Sequence, residues 1–213
     1  SPAQHDLQVL ERSSNVKVQP VPGKWHGQPS FYFNPNPELS SSPFTQDVRL
    51  RRAAQHATNR QAMAQVLGFG YGEPQHGFSW YPGVPGYDQD VPEYEYDLEK
   101  ARQLVREAGY ENGVDITVKV INRTVDVQPL EMLQAMWADA GIRLHIELMD
   151  RLEWIDDGRA GRFEALSHGN SALPSPLLRQ ESRTGSTFNW AGYSNPRVDD
   201  LWMQAEVEYD EQK

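Results

Sequence analysis

At 213 residues the chain is long enough for one sizeable domain with a real core, or for two small ones. With 20 Lys and Arg against 30 Asp and Glu, the net charge of −10 argues against nucleic acid and an anionic membrane face as partners. The absence of cysteine excludes disulfides, thiolate nucleophiles and Cys-ligated zinc, and no apolar run approaches the length of a membrane span.

In chain order, residues 1–14 read as a polar lead-in without a signal-peptide pattern, anchored by Leu7, Val9 and Leu10; either a leader was removed or the chain is cut from something longer. Val16-Lys17-Val18 predicts a short strand, broken by Pro20, Pro22 and Gly23, and Ser30-Phe31-Tyr32-Phe33-Asn34 predicts a second. Residues 34–43, rich in Pro, Asn and Ser, must be loop. Asp47 then caps a long helix through Leu67, with Val48, Leu50, Ala53, Ala54, Ala57, Ala64 and Val66 as its apolar positions. Its Arg49, Arg51 and Arg52 are most simply a solvated or salt-bridged face. Gly68-Phe69-Gly70-Tyr71-Gly72 follows a helix and opens none, so it is a C-cap and turn and not a dinucleotide fingerprint. Residues 73–92 have no period, several prolines and the rings of Phe78, Trp80, Tyr81 and Tyr87, which suit a cover for the core as well as stacking on a ligand.

The next stretch carries the strongest pattern. Asp97 N-caps a helix whose Leu98, Ala101, Leu104, Val105 and Ala108 share one face, and Gly109 sits where a left-handed C-cap is needed. Glu111-Asn112-Gly113 turns the chain into the alternating strand Val114–Ile121. Asp126 opens a second helix with Leu130, Leu133, Trp137 and Ala140 inward, closed by Gly141, and Ile142, Leu144, Ile146 and Leu148 alternate again. Strand, helix and strand make a βαβ unit with parallel strands, and its core is Ile116, Val118, Val120, Leu133, Trp137, Leu144 and Ile146. Ligands of open α/β sheets sit beyond the carboxyl ends of the strands, so Asn122, Arg123 and Thr124 are the first candidates for ligand contact.

Asp150 caps a short helix through Trp154 and Ile155, ending near Gly158; Phe163-Glu164-Ala165-Leu166 is a short strand, and 168–176 a loop of small residues at its carboxyl end. Residues 189–193 are irregular. Asn195 N-caps a last helix with Pro196 at its first position and Val198, Leu201, Trp202 and Ala205 as its buried stripe. The histidines have no metal spacing, and His56 and His145 read as ordinary packed or exposed residues. Asp156-Asp157 and Asp199-Asp200 are neighbours in sequence, which on a helix do not face each other, so a shared acid/base pair is not expected. No nucleophile elbow or phosphate loop is present, and neither a metal nor a cofactor is called for.

Four stretches carry a resemblance. Val48-Arg49-Leu50-Arg51-Arg52-Ala53-Ala54-Gln55-His56-Ala57-Thr58-Asn59-Arg60, then Tyr96-Asp97-Leu98-Glu99-Lys100-Ala101-Arg102-Gln103-Leu104 with Glu107-Ala108-Gly109-Tyr110, then Met136-Trp137-Ala138-Asp139-Ala140-Gly141-Ile142, and Tyr193-Ser194-Asn195-Pro196-Arg197-Val198-Asp199-Asp200-Leu201 resemble, in order, motifs of the family 5 solute-binding proteins. These are the dipeptide- and oligopeptide-type receptors of ABC importers. The resemblance implies an α/β fold, one lobe of a periplasmic-binding-protein-like architecture with a mixed sheet flanked by helices. Residues 1–213 would be the second, C-terminal-type lobe, the N-terminal lobe and the return to it lying outside the chain. It implies a monomeric, periplasmic (extracytoplasmic) receptor that performs no chemistry, closes on a small-molecule solute and delivers it to the permease subunits in the membrane. Asn59 stands where the family has Asp, a local capping variation. Peptide receptors also carry an Asp in the loop after the strand at 163–166, whereas residues 169–176 contain no acid. Arg123 falls where dipeptide receptors place the arginine that pairs with the ligand carboxylate. Around it the ligand-binding set comprises Asn122, Thr124, His168, Asn170, Ser171, Trp80 and Trp190. Two other readings stay open. One is a hydrolase using Ser171 with His168, which lie too close in one loop to make a convincing pair; the other is a sensor or chaperone use of the same fold.

Overall fold

The computed structural model describes residues 9–10, 12–17, 29–70, 72–74, 90, 93–169 and 182–208. A four-stranded sheet runs in the order β1 (Pro29–Phe33), β4 (Ala165–Gly169), β2 (Val114–Ile121) and β3 (Ile142–Met149). β2 and β3 pair parallel along their full length, from Val114 opposite Ile142 to Ile121 opposite Met149. β4 is parallel to β2, touching it at Val118–Ala165 and Lys119–Leu166, and β1 is antiparallel to β4. The sheet is therefore mixed, and the βαβ unit is as its alternation requires.

Seven helices are described: α1 (Pro43–Gln46), α2 (Val48–Ala57), α3 (Arg60–Leu67), α4 (Leu98–Glu107), α5 (Thr124–Ala138), α6 (Arg151–Ala160) and α7 (Pro196–Ala205). Strand alternation sends Ile116, Val118 and Val120 to one face of the sheet, where they meet Leu130, Leu133 and Trp137 of α5 with α2, α3 and α4 behind. All the expected core residues are buried there except Ile146, which is partly buried. The other face holds a smaller cluster of Tyr32, Met149, Trp154, Phe163 and Leu166, with Trp190 packed against it. β1 shows the division plainly: Phe31 and Phe33 join the first cluster and Tyr32 the second. α5 and α6 thus lie on opposite faces.

Several caps follow the sequence. Asp97 accepts from the Lys100 amide at 2.9 Å. Gly109 has φ +93°, a conformation that costs glycine nothing and other residues a Cβ clash. Asn195 accepts from the Arg197 amide and Pro196 opens α7.

Other expectations are corrected. The single helix over 48–67 is two, broken at Thr58 and Asn59, because Asn59 Oδ1 accepts from the Ala62 amide at 2.9 Å and starts α3 afresh. The strand after Phe163 runs from Ala165 to Gly169, so His168 lies in it and not in a loop. Val16 and Lys17 form no strand, and Val18 lies outside the described residues. Leu148 is 52% exposed while Met149 is buried: the alternation of β3 holds to its end, but the face of Leu148 is no longer covered there, whereas Met149 turns to the opposite face and joins the second cluster. Helix α7 has no buried residue, and Leu201, in its expected stripe, is half exposed. Most of the loop at 73–92, with Phe78, Trp80, Tyr81 and Tyr87, lies outside the described residues.

Candidate functional site

The carboxyl end of β2 is where two connections part. β2 runs through α5 on one face to its neighbour β3, and β3 runs through α6 on the other face, past β2, to β4. Adjacent loops leaving toward opposite faces open a crevice between them. Its floor is tied by the Asn122 amide, which donates to Met149 O at 2.9 Å and extends the ladder by one residue.

The two helices that leave this edge start differently. Asp150 caps α6, its Oδ1 accepting from the amides of Leu152 at 2.8 Å and Glu153 at 3.0 Å. At α5 the N-cap is Arg123, in extended conformation, and no side chain caps the first amides. The Arg123 amide is turned back onto Ile121 O at 2.7 Å, and Arg123 O takes the amides of Asp126 and Val127. The start of α5 thus carries no side-chain cap, and the positive end of a helix favours negative charge beside it.

Asp126 is not the cap that its position suggests. The residue is buried, 7% exposed, and its carboxylate pairs with Nε of Arg123, whose side chain is 54% exposed. The contact engages Nε alone, so the two Nη groups make no hydrogen bond among the described residues. Nothing in the sequence beyond an Arg–Asp spacing of three residues announces this pair.

Of the other expected site residues, Asn122 and Thr124 flank Arg123 and are exposed. His168 reaches the same edge in β4, its backbone in register with Ser30. Trp190 belongs to the packing of the α6 face: its ring lies 4.9 Å from Trp154 and 5.8 Å from Tyr32, and its Nε1 donates to Thr187 O. Trp80, Asn170 and Ser171 lie outside the described residues.

Elsewhere several charged groups are paired with one another. Asp157, on α6, accepts from Lys119 Nζ at 2.6 Å and from Arg162 Nε at 2.9 Å. Burial alone would raise its pKa, but these two donors and their charges bring it below the usual aspartate value. At the amino end of the strands Asp115 pairs with Arg143 and His145, whose hydrogen bonds hold it far below the usual range. Among the arginines of α2, Arg49 pairs with Asp47 and Arg52 is exposed, as a solvated or salt-bridged face requires, whereas Arg51 is half-buried and donates to the backbone at Thr45 O. Asp156 and Asp157 form no shared pair, since Asp157 turns to Lys119 and Arg162. Among the described residues no group of three His, Asp or Glu side chains could hold a metal ion.

The chain is similar to known proteins in sequence and in fold. A family model described as "Bacterial extracellular solute-binding proteins, family 5 Middle" matches residues 1–182. The glutathione-binding protein GsiB of Escherichia coli (strain K12) is 28% identical over 92% of this chain, which covers 39% of that protein. In structure the chain is similar to the periplasmic binding protein DppA from Helicobacter pylori, solved with the peptide STSA. That match has a TM-score of 0.73 and 23% identity, over 100% of this chain and 41% of that one. It is also similar to the protein AppA from Clostridium difficile, with a TM-score of 0.76 and 18% identity over 99% of this chain and 43% of that one. The chain therefore spans about two fifths of the length of the curated relatives it matches.

Proposed function

The chain belongs to family 5 of the bacterial extracellular solute-binding proteins, and from that membership we propose that it forms one lobe of a receptor for an ABC importer. The receptor captures a small, peptide-like solute between this lobe and a second, in the periplasm, and hands it to the permease subunits. It works as a monomer and makes or breaks no bond. Closure of two lobes about a hinge supplies the signal that the membrane partner reads.

The observation that carries this reading is Arg123. It stands beyond the carboxyl end of β2, at the crevice where the connections part, with its Nη groups unengaged among the described residues and an uncapped helix start beside it. A planar guanidinium offers a carboxylate two parallel donors, which an ammonium cannot reproduce. Glutathione and peptides, named for the relatives, both carry free carboxylates. The sequence of residues 169–176 offers no acid for an ammonium, so the carboxylate is the end that this lobe reads.

Calorimetric titration of the full-length protein with glutathione and with the peptide Ser-Thr-Ser-Ala tests the proposal. Arg123→Lys should weaken binding by about 1.5–3 kcal/mol, the scale of a charge-assisted hydrogen bond, and leave the melt nearly unmoved. Undiminished affinity would remove Arg123 from the site.

A further inference from the structure

An aspartate that is 7% exposed beside the crevice at the end of β2 needs an explanation. Asp126 is the third residue of α5, the position from which a capping-box acid reaches back to the N-cap amide. Here that amide is already taken by Ile121 O at 2.7 Å. The Asp126 carboxylate instead takes the side chain of the N-cap residue, and Arg123 is the one cation it pairs with among the described residues.

We propose that Asp126 is the positioning residue for Arg123, locking Nε from beneath so that the Nη1–Nη2 edge faces the crevice and meets a ligand carboxylate in register. This rests on the reading of Arg123 as the ligand's partner. The geometry divides the guanidinium's donors between two tasks. Nε is held by a buried group that cannot move with the ligand, and the remaining edge keeps the two parallel N–H vectors that a carboxylate accepts. An exposed arginine otherwise samples many rotamers, and binding must then stop that motion. Holding it in the free protein moves the entropy cost into folding. The pair is also close to neutral as a unit. Affinity from it comes from aligned hydrogen bonds and depends little on salt, unlike that of a bare cation in water.

The test uses the full-length protein titrated with glutathione and with Ser-Thr-Ser-Ala at low and high salt, with melts recorded alongside. Asp126→Ala should weaken binding about tenfold, because Arg123 is left unaligned. Asp126→Asn keeps an acceptor for Nε, so its affinity should stay within about threefold of the parent, but with a new salt dependence from the uncompensated cation. In an Arg123→Ala background, Asp126→Ala should have no further effect on binding. If Arg123→Ala weakens binding while Asp126→Ala does not, or if Asp126→Ala still weakens it once Arg123 is gone, the positioning role is wrong and the ligand role of Arg123 stands. If Arg123→Ala binds like the parent, or neither probe binds the parent, the functional reading falls and the positioning role with it. The Asp126→Asn variant covers the case in which Ala disturbs the fold.

Discussion

On one face of the sheet Ile116, Val118 and Val120 are completely buried beneath α5, while on the other the alternate residues of β2 are Thr117, Lys119 and Ile121. The first face is closed by apolar contact. Phe31 lies 5.5 Å from Trp137, Phe33 stacks on Phe44 at 6.2 Å, and α2 to α5 add their apolar stripes. The second combines a small aromatic cluster with a charged one. Lys119 meets Asp157 at 2.6 Å and Glu147 at 3.6 Å, and Asp157 also holds Arg162. Glu164 accepts from the Thr117 amide at 2.7 Å, supplying a partner just before β4 begins. Gly158 of α6 makes the aromatic part fit, since a Cβ there would lie 2.8 Å from the Trp190 ring. The contrast teaches that one strand serves two kinds of stabilisation. The apolar face depends on area removed from water, and the mixed face on every charge having its partner.

The largest effect that would break this comparison belongs to the apolar face. Trp137 is 3% exposed, and its Nε1 donates to Thr58 Oγ1 at 3.0 Å. Trp137→Ala should cost about 3–5 kcal/mol in denaturant unfolding, from lost burial, a cavity and the lost hydrogen bond to Thr58. A variant that unfolds at the parent's midpoint would mean that α5 is not the keystone of that face.

This difference between faces also decides what could be read from the sequence. The apolar face was legible because each of its residues obeys the period of its own element: every second residue in β2, and Leu130, Leu133 and Trp137 along one side of α5. The mixed face was not, because pairing Lys119 with Asp157 joins residues 38 positions apart, and no local pattern encodes that distance. The break at Asn59 was hidden for another reason: the apolar spacing on both sides suits one continuous helix, and a single cap interrupts it. The position of Arg123 beyond the carboxyl end of β2 followed from the βαβ pattern. The burial of Asp126 depends on how α5 packs, and a lone acid in a first helical turn reads as an ordinary capping residue. The stripe of α7 is exposed against expectation because amphipathic spacing says which side of a helix is apolar, not whether anything covers it.

The mixed face can be probed by pH. Asp157→Asn should cost about 1–3 kcal/mol at neutral pH, below the Trp137 loss, because Arg162 and Glu147 reach solvent and soften the pair. The sign follows from the direction of the shift. The pKa of Asp157 in the folded chain lies below its ordinary 3.8, so the stabilisation is complete above that value and disappears as pH falls through the folded pKa. Urea midpoints of parent and variant should therefore differ most near pH 7 and converge in acid, below the ordinary aspartate value. A gap that stays constant down to acid would show that the Asp157→Asn change disturbs packing and not charge.

The smallest effect sharpens the apolar face. Thr58 and Asn59 break the helix, and they do two jobs at once. The Thr58 hydroxyl donates to Ala54 O at 2.7 Å while accepting from Trp137, and Asn59 restarts the chain as α3, which buries Met63 and Ala64. Two forces could hold the break: the cap itself, or the anchoring of Thr58 under the indole. Asn59→Ala removes only the cap and should cost about 1 kcal/mol, whereas Asn59→Asp, which caps as well, should be close to neutral. If Asn59→Ala unfolds like the parent, the indole contact alone sets the break. Combining it with Trp137→Ala separates the two: a loss equal to the sum of the single losses means that cap and anchor act independently, and a smaller loss means that they hold one break between them.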